Sequence, residues 1–144
     1  MAAMNYRMRL VALAALVIGS MVLATACSDD DSTTGSTGVE FGSGSLPSTV
    51  PEGFPIPEGA VISSTLVDWD RNNTEVVFRI AAEPAAVILF YDQNLERAGY
   101  VVSSSDGDAT MRVITFNGNG IAGELDIDPE GQQATRVVLA FSTE

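Results

Sequence analysis

The residues best equipped for chemistry in this 144-residue chain are carboxylates, since it carries 19 Asp and Glu, one cysteine and no histidine. Without imidazole there is no histidine general base, no Ser-His-Asp or Cys-His relay and no usual zinc ligand set. Carboxylate, hydroxyl and phenol chemistry remain. One acidic run with ligand-like spacing is Asp126-Ile127-Asp128-Pro129-Glu130-Gly131, with acids at the first, third and fifth places and glycine at the sixth, as a calcium loop begins. The pattern then fails, because its twelfth place is Val137 rather than a bidentate glutamate and its flanks read as strands. Asp126, Asp128 and Glu130 are thus a weak cation-site candidate inside what reads as a hairpin turn, and Asp68-Trp69-Asp70-Arg71-Asn72 is weaker still. Glu124 and Asp126 sit on one face of one strand, about 6.5–7 Å apart along the backbone. A carboxylate pair can in principle hydrolyse a glycosidic bond, but nothing marks these two as buried. With no nucleophile motif, phosphate loop or cofactor fingerprint beside them, the expectation is a protein that is not an enzyme and holds no metal.

Charge narrows the partners. The formal net charge is −12, and Arg7 and Arg9 precede every acidic residue, so the chain beyond Cys27 carries five arginines against 19 acids, with no lysine. Nucleic acid is excluded as a partner because its backbone requires clustered cations. Anionic membrane surfaces would also repel such a domain, so membrane contact must come from an anchor.

Met1 to Arg9 is a short basic region, and Leu10 to Ala24 is apolar except for Gly19 and Ser20. This is the profile of an export signal; as a helix the apolar run rises about 22 Å, short of a bilayer core. It closes in Leu23-Ala24-Thr25-Ala26-Cys27-Ser28, which resembles the lipobox of bacterial lipoproteins, where a cysteine behind small residues becomes the lipidated first residue. Ala24 stands where that family usually has leucine. Ala24-Thr25-Ala26 also satisfies ordinary secretory cleavage, which would release a soluble protein with an N-terminal thiol. The placement of the single cysteine at this junction favours lipidation, since a lone thiol finds no disulfide partner in an oxidising compartment. The resemblance implies diacylglycerol, and in some cases an N-acyl chain, on Cys27, with no other cofactor.

Three segments follow: a signal over 1–26, Cys27 with a Ser/Thr/Gly/Asp tether over 27–45, and one domain over 46–144. The tether's composition cannot bury enough surface to offset ordering, and its root mean square reach is about 20–25 Å. Pro47, Pro51, Pro55 and Pro57 then make a stiff extended lead-in. Phe54 and Ile56 in it are spaced to lie against a sheet; alternatively the stretch is a recognition motif for a grooved partner. Trp69 reads as a core anchor or an exposed binding aromatic, so Phe54 and Trp69 are the candidate partner-binding residues.

Val61 to Trp69 and Glu75 to Ala81 read as strands joined by Asp70-Arg71-Asn72-Asn73. Glu83 to Gly99 reads as a helix, with Pro84 in its first turn, a stripe of Val87, Phe90, Tyr91, Leu95 and Ala98, and Gly99 as its stop. Tyr100 to Ser104, Ala109 to Asn117, a strand from Ile121, and Ala134 to Ser142 complete the pattern, with Asn117-Gly118-Asn119-Gly120 a strong hairpin signal. Keeping Leu125 and Ile127 on the face of Val137 and Leu139 requires an odd loop. A three-residue turn, Pro129-Glu130-Gly131, satisfies this and sets Glu124 opposite Arg136. The expected fold is α+β: an antiparallel sheet of about six strands in the order ββαββββ, one helix packed on one face.

The layout resembles the small, largely uncharacterised lipoproteins of actinobacteria and related bacteria, through Val50-Pro51-Glu52-Gly53-Phe54-Pro55-Ile56-Pro57-Glu58-Gly59-Ala60, Phe90-Tyr91 and Leu95-Glu96-Arg97-Ala98-Gly99-Tyr100. The resemblance implies a lipid-anchored location on the extracytoplasmic face of the cell membrane, and brings no catalytic residues. The function expected is a noncatalytic envelope module of unknown ligand that binds a protein partner, an envelope protein being the candidate, or organises a surface complex. The alternatives are a small-ligand or cation carrier using a groove beside the helix, then a carboxylate hydrolase.

Overall fold

The computed structural model describes residues 38–143; the expected signal, Cys27 and the first part of the tether lie outside the described residues. Seven strands and one α-helix follow in the order β1 Val39–Gly42, β2 Val61–Asp68, β3 Asn73–Ile80, α1 Pro84–Asn94, β4 Val101–Gly107, β5 Arg112–Gly118, β6 Ile121–Pro129 and β7 Thr135–Thr143. The strands form a single antiparallel sheet in the spatial order β1-β2-β3-β7-β6-β5-β4. The α+β class with one helix and an antiparallel sheet is therefore as expected, but the sheet has seven strands instead of about six. The additional strand is β1, built from four residues of the expected tether.

Alternation explains the two faces. Val76, Phe78 and Ile80 of β3 are buried while Glu75 and Arg79 are exposed, and in β7 Val137, Leu139 and Phe141 are buried between the exposed Arg136 and Ser142. Period-two spacing sends each set to one side of the sheet. The connection from β3, near the middle, to β4, at the far edge, carries α1 across the inner face, where it packs against β6. Val87, Ile88 and Tyr91 of α1 and Leu95 beyond it are buried there, with Leu125, Ile127, Ile114 and Phe116 of the sheet. Ile88 joins the expected stripe, while Phe90 is half-buried at its edge.

The helix ends as its sequence dictates. After a short 3-10 turn, Glu96–Ala98, Gly99 adopts φ 88°, the Tyr100 amide donates to Leu95 O and the Gly99 amide to Glu96 O, both at 3.0 Å. That is the left-handed closure of orphan carbonyls for which glycine is suited. Asn119 and Gly120, both at positive φ, make the tight turn between β5 and β6, and the Asn119 side-chain amide donates to Ala98 O at 2.9 Å. One hairpin turn thereby fastens the helix end. On the other side of α1, the buried Thr135 hydroxyl donates to Ala82 O at 2.7 Å.

The last hairpin corrects the expected register. Pro129 pairs with Thr135, Asp128 with Arg136 and Glu124 with Ala140, so five residues, Glu130 to Ala134, separate the strands rather than three. The parity is as inferred, and Leu125 faces Leu139. The shift places Asp128 opposite Arg136 and lets Glu130 reach Arg79, Nε to Oε2 3.0 Å. Arg79 is itself paired with Arg136 across β3 and β7, and like charges directly opposite are unfavourable. Glu130 offsets that repulsion at Arg79, which a three-residue turn with Glu124 opposite Arg136 does not do.

Candidate functional site

Two surfaces present groups able to act on another molecule: the outer face of the sheet, and a cleft at its β1 edge on the helix side. The register defines the outer face. One row across the strands reads Phe41, Leu66, Glu75, Ala140, Glu124, Thr115; the next reads Ser64, Val77, Val138, Asp126, Val113, Asp106. Leu66, Val77, Val138 and Ala140 are half-buried, and Phe41 is 76% exposed. No element of the described residues covers this face, which joins an apolar band to acidic flanks. The small side chains of Ala122, Ala140 and Ser142 leave a shallow depression of about 390 Å³ there.

At the β1 edge, alternation brings Glu40 and Gly42 of β1 to the same side as Thr65 and Val67 of β2, with Trp69 following. The ladder extends one step beyond β2 through the Trp69 amide to Gly38 O, 3.0 Å. The Trp69 indole N–H donates to Glu40 Oε2 at 3.3 Å. Helix α1 does not reach this part of the sheet; Ser45, Leu46, Pro47 and Ser48 arch over it and enclose a cleft of about 210 Å³. A smaller cavity of about 80 Å³, lined by Thr49, Asp68, Asn72 and Thr74, also borders Trp69. The Thr74 and Thr49 hydroxyls bond at 2.8 Å and hold the lead-in against β3.

Asp68 closes the β2–β3 turn. Its carboxylate accepts from the Asp70 and Arg71 amides at 3.1 Å and from the Arg71 guanidinium at 2.8 Å. The Arg71 guanidinium first, and then those amides, hold its pKa below the ordinary value of 3.8 against the opposing effect of burial. Because the folded pKa is depressed, this stabilisation is complete above the ordinary value and is lost as pH falls through the folded one. An Asp68→Asn variant should be less stable than the parent at neutral pH, and the gap in unfolding temperature should close on acidification below 3.8. A gap constant across that range would show that the charge contributes nothing. Asp108 does similar work in the β4–β5 turn, its pKa held down by the Thr110 hydroxyl and the Thr110 and Met111 amides.

Several residues singled out from sequence fall elsewhere. Phe54 is 6% exposed and packs edge-on against Tyr100 with centroids 5.3 Å apart, and tilted against Phe116 at 5.7 Å. It is a core residue and cannot offer its ring to a partner, because the lead-in folds onto the sheet. Asp126 and Asp128 stand half-buried on the outer face of β6, while Glu130 is turned to Arg79; the three are not gathered. Among the described residues no group of three Asp, Glu, Cys or His is placed to share a metal ion. Glu124 and Asp126 face outward on the open side. The buried phenol of Tyr91, pushed up by desolvation, stays protonated at neutral pH. Trp69 alone of the named aromatics reaches a cleft, and Glu40, its partner there, was not among the expected site residues. No protein-family model, curated protein or solved structure matches the chain.

Proposed function

We propose that the protein is an extracytoplasmic lipoprotein, anchored to the cell membrane by a lipidated Cys27, whose domain is a noncatalytic module that binds an envelope protein. The observation that carries the interaction reading is the uncovered sheet face, where Leu66, Val77, Val138 and Ala140 form an apolar band interrupted by Glu75, bordered by Glu124 and Asp126 on the β6 side and by Arg79 and Arg136 at one end. Such a surface suits a partner bringing apolar side chains ringed by charges of both signs, with charge setting approach and register and the apolar band supplying affinity. The carrier reading has less support, because none of the principal depressions among the described residues is lined by α1. The anchor reading rests on the residues before Cys27.

Fractionation and crosslinking in living cells test both halves. The native chain should sediment with membranes and a Cys27→Ala variant should not; crosslinking followed by mass spectrometry should enrich one envelope protein with the anchored form. Equal distribution of the two forms would sink the anchor. Anchoring without any enriched protein would sink the interaction module and leave the anchor standing.

A further inference from the structure

We propose that the cleft beside Trp69 binds an alkylammonium group. The cleft is a built feature of the β1–β2 edge. Gly42 sits opposite Thr65, and a Cβ at Gly42 would lie 2.7 Å from Thr65 Oγ1, so a methyl group there would occupy the floor or turn the Thr65 hydroxyl aside. Ser45, Leu46, Pro47 and Ser48 form the opposite wall, with Val67 and the indole of Trp69 between them.

The lining specifies the charge of its occupant. Among the described residues that line it Glu40 is the one acidic side chain, and the hydroxyls of Ser45, Ser48 and Thr65 can all accept. No arginine is among the described residues that line it, and the indole N–H is already directed at Glu40 Oε2. An occupant must therefore bring donors and positive charge, and a primary ammonium brings three N–H groups. Tryptophan is the best aromatic neighbour for such a cation, and the acidic chain raises the local concentration of cations. The volume of about 210 Å³ is below the usual range for whole drug-sized ligands; it suits the head and stem of one amine. A free alkylamine and the lysine side chain of a peptide share this chemistry. The inference concerns a different surface from the outer face and does not depend on the anchor.

Trp69 is the single tryptophan of the chain, so tryptophan-selective fluorescence reads its surroundings, and the Glu40 and Gly42 variants separate this cleft from the smaller cavity that also borders Trp69. The full chain, held in detergent micelles, is titrated with n-butylammonium chloride and with acetyl-Gly-Lys-Gly amide, each against matched sodium chloride. The expected result is a saturable change in Trp69 emission, with half-saturation raised about tenfold or more in a Glu40→Gln variant, as loss of a charge-assisted contact requires. Saturation by both probes identifies a free ammonium as sufficient; saturation by the peptide alone identifies a lysine side chain. A Gly42→Ala variant, whose methyl group fills the floor, should weaken binding in parallel, and circular dichroism checks that each variant is folded. If neither probe acts beyond sodium chloride, or if folded Glu40→Gln and Gly42→Ala both bind as the parent does, the proposal is overturned. Neither result touches the fractionation and crosslinking outcomes above.

Discussion

A Gly123→Val variant should lose about 3 kcal/mol or more of folding stability, at the upper end of what overpacking costs. Gly123 lies within β6, paired with Phe116 of β5 on one side and Phe141 of β7 on the other. A side chain there would run into the Ala140 carbonyl oxygen and come within 2.6 Å of Phe141 Cβ and 2.9 Å of Phe141 Cα. These are mostly backbone or backbone-proximal atoms, and β6 is hydrogen-bonded on both sides, so neither neighbour can withdraw without breaking ladder bonds. The absence of a side chain leaves the space between the two phenylalanines to their own rings, as when aromatic neighbours cover a strand glycine. A Gly120→Ala variant is the control: nothing lies within 4 Å of its Cβ, although φ is 78°, so only the left-handed backbone is penalised, at about 1 kcal/mol. Urea unfolding of the two variants separates clash from strain. Equal midpoints would mean that β6 and β7 are not packed at this spacing.

A Phe78→Ala variant should cost about 3–5 kcal/mol. Phe78 is 0% exposed, sits on β3 between Ile62 and Val137, and faces the core beneath α1. Its neighbour Val77 points the other way and is half-buried on the open face, so Val77→Ala should cost about 1 kcal/mol or less in the isolated protein. The comparison has functional content. If Val77→Ala proves as damaging as Phe78→Ala in purified protein, the outer face is already covered in solution, and a second copy of the chain becomes its occupant in place of an envelope partner.

Much of this fold is legible where local chemistry is decisive. Asn119-Gly120 accepts two successive positive φ angles and specifies its hairpin, Gly99 ends the helix, and alternation in β3 and β7 assigns faces without reference to distant residues. The readings that fail are those requiring long-range information. Parity demands an odd loop between β6 and β7 but does not distinguish three residues from five; the Arg79–Glu130 pair that accompanies the longer loop joins residues that only the assembled sheet juxtaposes. Phe54 reads as an aromatic that could serve a partner because Tyr100 and Phe116, which enclose it, are more than forty residues away in sequence. Val39-Glu40-Phe41-Gly42 is lost in the composition of the tether, since all four residues remain exposed even when paired. Half of the Trp69 cleft is hidden for the same reason, because Glu40 and Gly42 belong to that strand.

The attachment of β1 has a kinetic and thermodynamic consequence. It is held to the rest of the sheet through β2 alone, buries none of its residues, and is only four residues long, so it is the element that opens at least cost. Whenever it opens, the Trp69 cleft loses its carboxylate and one floor residue together. The apparent affinity of that cleft is then its intrinsic affinity scaled by the fraction of time the edge is zipped, and an occupant that bridges Glu40 to Trp69 would slow amide hydrogen exchange along β1 while leaving the central strands unchanged.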